Sequence, residues 1–214
     1  MKLIIGNKNY SSWSLRAWLA AREGGFTFEE IRIPLFIPGS RERILSHSPS
    51  GKVPCLNDHG FAVWDSLAIG EYLAEKQPAL LPTDPTARAI ARAVTAEMHA
   101  GFQNLRSRMP MNVRKDYTGF GHSPEVDADI ARIVAIWTDC RSRFGHDGPY
   151  LFGRFSLADA AYAPVAFRFQ TYGVKPEGDA GDYLATLLAN PHMQDWAAAA
   201  RAETESIPEE DLYG

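Results

Sequence analysis

The spacing of apolar and polar positions changes its period once along this chain, and the change divides it. Leu3-Ile4-Ile5 is a short apolar run closed by Gly6-Asn7-Lys8-Asn9, the pattern of a buried strand ending in turn residues. From Ser11 or Ser12 onward, Trp13, Ala17, Trp18 and Ala20-Ala21 recur at helical spacing until Gly24-Gly25. Phe26 to Ile33 has the alternation of a strand, stopped by Pro34, and a β-α-β opening predicts a parallel pair with a right-handed crossover. After a helical patch around Arg41 to Ser46, two brief apolar runs, 54–57 and 61–64, are joined by Asp58-His59-Gly60, which predicts an antiparallel hairpin. Asp65-Ser66 then opens a helix whose apolar face is Leu67, Ile69, Tyr72 and Leu73.

Beyond Gln77 the strand period is gone. Three prolines between 78 and 85 stop the helix and read as a linker. Only helical windows follow, at about 87–109, 126–144, 156–170, 183–188 and 193–202. The expected architecture is an α/β unit over 1–76, a linker over 77–86 and an all-helical unit over 87–214. The acidic tail with Glu205, Glu209, Glu210 and Asp211 is expected to be loosely held.

Composition narrows the function. With 45% hydrophobic and 22% charged residues in 214, the chain has enough apolar material for a core, so it is neither disordered nor fibrous. A net charge of −4 gives no general reason to bind nucleic acid or an anionic membrane. The opening apolar run is too short for a signal peptide, and nothing approaches the roughly 20 apolar residues of a bilayer span. The two cysteines, Cys55 and Cys140, suit neither a disulfide framework nor a zinc site, and the expected setting is soluble, reducing and cytoplasmic. No metal or nucleotide motif is present.

Four short motifs carry candidate chemistry. Ser11-Ser12-Trp13-Ser14-Leu15-Arg16 puts hydroxyls at a helix entry; one serine serves as N-cap, while a hydroxyl beside unpaired N–H groups can also donate to an anion. A thiolate there would be stabilised, and since serine cannot be that thiolate, the sulfur must arrive on a ligand. In Gly51-Lys52-Val53-Pro54, a cis Val53-Pro54 bond would expose the Val53 N–H and C=O to an extended peptide, with Lys52 placed for a terminal carboxylate. Asp65 and Ser66 at a helix start can recognise the ammonium and carboxylate of an amino-acid end. Ser156-Leu157-Ala158-Asp159 reads as a capping box, structural rather than catalytic.

The order and separation of these motifs resemble the soluble glutathione transferase family over essentially the whole chain. The resemblance implies a thioredoxin-like N-terminal domain that binds glutathione as cosubstrate, a helical domain shaping the pocket for a small hydrophobic electrophile, and a homodimer. It implies that Asp65 and Ser66 hold the γ-glutamyl end, that Val53 pairs with the cysteinyl backbone across cis Pro54, and that Lys52 reaches the glycyl carboxylate. Ser11, five residues before Arg16, stands where the zeta, tau and omega-like classes carry their catalytic Ser or Cys; Ser12 is the theta-like alternative.

Tyr10, Trp13, Phe102, Arg106, Met109 and Met111 are the candidates for the electrophile pocket, with Tyr162 and Phe167 behind them. Met109 and Met111, flanking Pro110, are expected to form a mobile wall. Trp13 departs from the small residue or Cys of the zeta-class maleylacetoacetate isomerases, and serine at 11 argues against thiol-transferase chemistry through a protein mixed disulfide. Cys55 is expected in the core. The expected activity is addition of an activated glutathione thiolate to an apolar electrophile. The alternatives are a non-catalytic glutathione-binding or ligand-storage module and a zeta-like glutathione-dependent isomerase.

Overall fold

A computed structural model describes residues 1–213. The order is β1 (Lys2–Ile5), α1 (Ser12–Glu23), β2 (Glu29–Arg32), α2 (Ser40–Leu45), β3 (Cys55–Asp58), β4 (Phe61–Val63), α3 (Ser66–Lys76), a 3-10 turn at Pro78–Leu80, then six helices. These are α4 (Pro85–Ala100), α5 (Gln103–Arg108), α6 (Pro124–Phe144), α7 (Leu157–Tyr172), α8 (Gly178–Ala189) and α9 (Pro191–Ala202). This is a thioredoxin-like α/β unit followed by an all-helical one.

The four strands lie in the order β2-β1-β3-β4, with β1 parallel to β2 and antiparallel to β3, and β3 antiparallel to β4. β1 is central, which explains why Leu3, Ile4 and Ile5 are all buried rather than alternating. Leu3, Ile5 and Leu56 point to the face covered by α1 and α3, where Leu15, Leu19, Ile69 and Leu73 meet them. Ile4, Ile33, Ile44 and Cys55 form a smaller cluster on the face under α2. Cys55 is therefore core, as its alternation on β3 required. β2 is shorter than the alternating run that announced it, because its ladder is limited to the residues opposite Lys2–Ile5.

In the helical part, Asp84, Ser123 and Asn190 each accept a backbone N–H of the following helix, with proline next at its first position. Side-chain caps and a residue that lacks an N–H suit these ends, where the first donors have no helical acceptor. Trp137 of α6 is buried among Tyr162, Phe169 and Tyr183, with ring centroids 4.9–5.8 Å away. Asp159 accepts from the Ser156 N–H at 2.8 Å, the Ser156 hydroxyl at 2.9 Å and the Leu151 N–H at 3.1 Å, anchoring the start of α7 to the preceding turn.

Two expectations are corrected. The single helix over 87–109 is two, because a Cβ at Gly101 would lie 2.8 Å from the Glu97 carbonyl and Phe102 takes a left-handed conformation, φ 59°. The acidic tail is not loosely held. Glu203 accepts from the Lys8 and Asn9 N–H groups, and Arg114 donates to the carbonyls of Glu203 and Glu205. Arg32 pairs with Glu205, and Ile207 is buried. Net negative charge alone made this segment look solvated; its partners are scattered over loops that only folding assembles.

Candidate active site

Two loops and the starts of α1 and α3 in the α/β unit, with α4 of the second unit, converge on a cleft of about 270 Å³, lined by Trp13, Ser50, Lys52, Val53, Pro54, Trp64, Asp65, Ser66 and His99. Lys52, Val53 and Pro54 come from the turn before β3, where the Val53–Pro54 peptide is cis. The Trp64–Asp65 peptide is also cis. Asp65 caps α3 by accepting from the Leu67 N–H at 2.9 Å through one carboxylate oxygen; its other oxygen lies 3.4 Å from His99 Nε2. Ser66, buried at the first position of α3, keeps a hydroxyl with no hydrogen-bond partner among the described residues. Lys52 is exposed and held by the loop, its N–H donating to the Ser50 hydroxyl.

Such a cleft offers a cation at one end, a strand-like backbone edge in the middle, and a carboxylate with a helix-start hydroxyl at the other. That sequence of groups suits a peptide carrying carboxylates at both ends and an ammonium at one.

The two serines of the α1 entry are placed differently. Ser11 is the N-cap and is buried. Its hydroxyl donates to the Ser14 hydroxyl at 2.7 Å, which in turn accepts from the Gly6 N–H. Ser12 begins α1, is half-buried, and has no side-chain partner among the described residues. Neither lines the cleft; Trp13 does.

Trp13 is gripped by cations. Arg16 from its own helix and Arg106 from α5 each lie 4.5 Å from its ring centroid, and the His99 ring meets it edge-on at 5.1 Å. Arg106 is fixed there by donating to the His99 carbonyl that α4 leaves unpaired where Gly101 breaks the helix. Desolvation holds the Arg106 guanidinium below its ordinary range, and it drives Arg16 further, to about 9.

The other candidates for the electrophile pocket are not at the cleft. Tyr10 faces the tail: its hydroxyl donates to Asp211 and accepts from Arg114 and the Ile207 N–H. Met109 is 0% and Met111 1% exposed. The chain between them is fixed, Arg168 donating to the Met109 carbonyl and Tyr172 to that of Pro110, so they form core and no mobile wall. Phe102, Tyr162 and Phe167 are buried in the same core. Three lining residues, Ser50, Trp64 and His99, were not singled out for the site; the legible sign for His99 was its i,i+4 spacing from Thr95, two polar residues on the inward side of an alanine-rich helix. Among the described residues no group of three or more His, Cys, Asp or Glu could hold a metal ion. No described helix is long and apolar enough to cross a membrane.

Known proteins bear on this arrangement at three levels. Residues 10–76 match the family model for the glutathione S-transferase N-terminal domain, and residues 123–199 match that for the C-terminal domain. A probable maleylacetoacetate isomerase of Caenorhabditis elegans is 26% identical over 94% of this chain and 92% of its own; the maleylacetoacetate isomerase of Pseudomonas aeruginosa is 29% identical over 81% and 84%. Among solved structures, a Burkholderia glutathione transferase homologue with bound glutathione superposes with a TM-score of 0.67, covering 94% of this chain and 98% of that one at 23% identity. The theta-class enzyme of Xanthomonas axonopodis pv. citri superposes with a TM-score of 0.66, over 91% and 96% at 23% identity. With both halves of the chain matched in order around this cleft, the protein belongs to the glutathione S-transferase family.

Proposed function

We propose that the cleft takes glutathione and that the protein adds its thiolate to a small apolar electrophile. The observation that carries this reading is the gathering of Lys52, Val53, Pro54, Asp65 and Ser66 around one cavity. Asp65 attracts the γ-glutamyl ammonium, the Ser66 backbone N–H at the start of α3 donates to its carboxylate, the Val53 backbone pairs with the cysteinyl unit, and Lys52 reaches the glycyl carboxylate. The cysteinyl sulfur then lies toward the start of α1. There the first N–H groups and the Ser12 hydroxyl stabilise it as thiolate, the proton leaving to solvent. We favour Ser12 over Ser11 because the Ser11 hydroxyl is already bonded within the helix start. Catalysis is then thiolate stabilisation plus proximity of the electrophile, which approaches over Trp13.

The test is titration calorimetry with glutathione together with conjugation assays on aryl halides, epoxides and isothiocyanates. Glutathione binding without turnover on any of them would favour the binding-module alternative. A second reading, glutathione-dependent isomerisation, is supported by the relatives named maleylacetoacetate isomerase and by Arg106 beside Trp13, a cation suited to a carboxylate. Isomerase turnover exceeding conjugation would select it.

We further propose a cytoplasmic homodimer. Supporting the dimer, the edge strand β4 presents Phe61, 49% exposed and packed edge-on against Tyr72 at 5.7 Å. Sedimentation of wild type and Phe61→Asp tests it.

A further inference from the structure

A second, smaller cavity of about 20 Å³ lies behind Ser66, between α1, α3, α4 and α7. It is large enough for one water-sized or halide-sized body. Its polar lining is Arg16, Ser66, Thr95 and His99; Leu157 and Ala160 of α7 are part of the apolar wall. Arg16 is 6% exposed, and its Nε and Nη1 have no hydrogen-bond partner among the described residues. The same holds for the hydroxyls of Ser66 and Thr95.

Arg16 has no ion pair among the described residues. Arg168 of α7 and Arg106 of α5 both repel it, and Asp65 offsets them only weakly. Stacking on Trp13 satisfies one face of the guanidinium and none of its N–H groups. A buried cation left this way is costly, and a fold that keeps it gains by admitting a counter-charge. The unpartnered groups discriminate between candidate occupants. A guanidinium only donates, and both hydroxyls can donate. A water molecule can accept from these donors and return its protons to the hydroxyl oxygens, but it brings no charge to set against the guanidinium. A monatomic anion accepts from the guanidinium and the hydroxyls and supplies that charge.

We propose that this cavity is a halide site, holding one chloride ion between the guanidinium of Arg16 and the hydroxyls of Thr95 and Ser66. The ion fastens α1 and α3 of the first unit to α4 of the second, and so sets the angle of the cleft from behind. The site does not depend on the glutathione reading, since its occupancy is measured without glutathione.

Crystals of the ligand-free protein soaked in bromide, with data at the bromine absorption edge, test the assignment. An anomalous peak in this cavity within hydrogen-bond distance of Arg16 and Thr95 is expected. In solution, Tm in sodium chloride is compared with sodium gluconate at equal ionic strength, for wild type and for Thr95→Val and Arg16→Met. At a tenfold excess of chloride over its Kd, the wild-type Tm rises by roughly 3–6 °C in chloride. The rise shrinks in Thr95→Val and disappears in Arg16→Met, so general salt effects cancel in the comparison. An empty anomalous map at the cavity, or an equal salt response in all three proteins, overturns the proposal. So does a soak with both ligands in which a glutathione carboxylate occupies the position in place of bromide, because the cavity would then be a corner of the glutathione site.

Discussion

The Ser11 hydroxyl lies 2.7 Å from the Ser14 hydroxyl and donates to it, while Ser14 also accepts from the Gly6 N–H, tying the end of the β1 loop to the first turn of α1. A hydroxyl committed in this way stabilises the helix start more readily than a ligand. Ser11→Ala is therefore expected to cost about 1 kcal/mol of stability, the usual effect of losing an N-cap, and to leave glutathione conjugation within a few-fold of wild type. Ser12→Ala is expected to leave Tm unchanged and to lower kcat/KM by roughly 10²-fold, the loss seen when one preorganised donor to a developing anion is removed. Thiolate absorbance of bound glutathione in the ultraviolet decides between them; a normal signal in both variants would remove serine from the mechanism.

Asp65 and His99 bring a carboxylate and an imidazole from the two halves of the chain to 3.4 Å. Asp65→Asn keeps the α3 cap oxygen but loses the charge for an ammonium. Glutathione affinity measured by calorimetry is expected to fall about 10–100-fold, the contribution of one charged hydrogen bond, with little change in Tm.

Asp159 is completely buried, and desolvation raises its carboxyl from 3.8 to about 6 in spite of the three donors around it. The folded state then binds a proton more tightly than the unfolded chain does, so this group's contribution to stability is present below pH 4 and falls as pH rises to 6. A rise of this size corresponds to ~3 kcal/mol. The difference in unfolding free energy between wild type and Asp159→Asn, followed from pH 4 to pH 7, is expected to change in that window and be flat above it. A pH-independent difference would show that the carboxyl ionises as freely folded as unfolded.

Arg114 holds the tail through the carbonyls of Glu203 and Glu205 and through the Tyr10 hydroxyl. Arg114→Ala leaves these acceptors without their donor and is expected to cost about 3 kcal/mol. Limited proteolysis should then cut after residue 202 much faster than in wild type, with the body of the protein intact.

Both cysteines are buried, and burial pushes the Cys140 thiol up to about 12. Native protein should react with an aromatic disulfide reagent only at the rate of opening, and both thiols should appear in denaturant.

Local chemistry carried a large share of the outcome. The apolar run at Leu3-Ile4-Ile5, the hairpin signal at Asp58-His59-Gly60 and the helix start at Asp65-Ser66 depend on neighbours within a few residues, and each element formed where its pattern placed it. The motifs around Ser11, Lys52 and Asp65 were visible for the same reason: caps and turns are short-range structures.

What the chain alone left open depended on residues far apart in sequence. Only folding shows that Tyr10 is closed beneath a tail 201 residues away at Asp211, that Met109 and Met111 are core, and that Arg106 reaches Trp13 because Gly101 breaks the helix before it. Tertiary structure also decided which serine keeps a free hydroxyl and set the guanidiniums of Arg106 and Arg168 against that of Arg16. Backbone pattern is written locally, but burial and the pairing of charges are properties of the assembled interior.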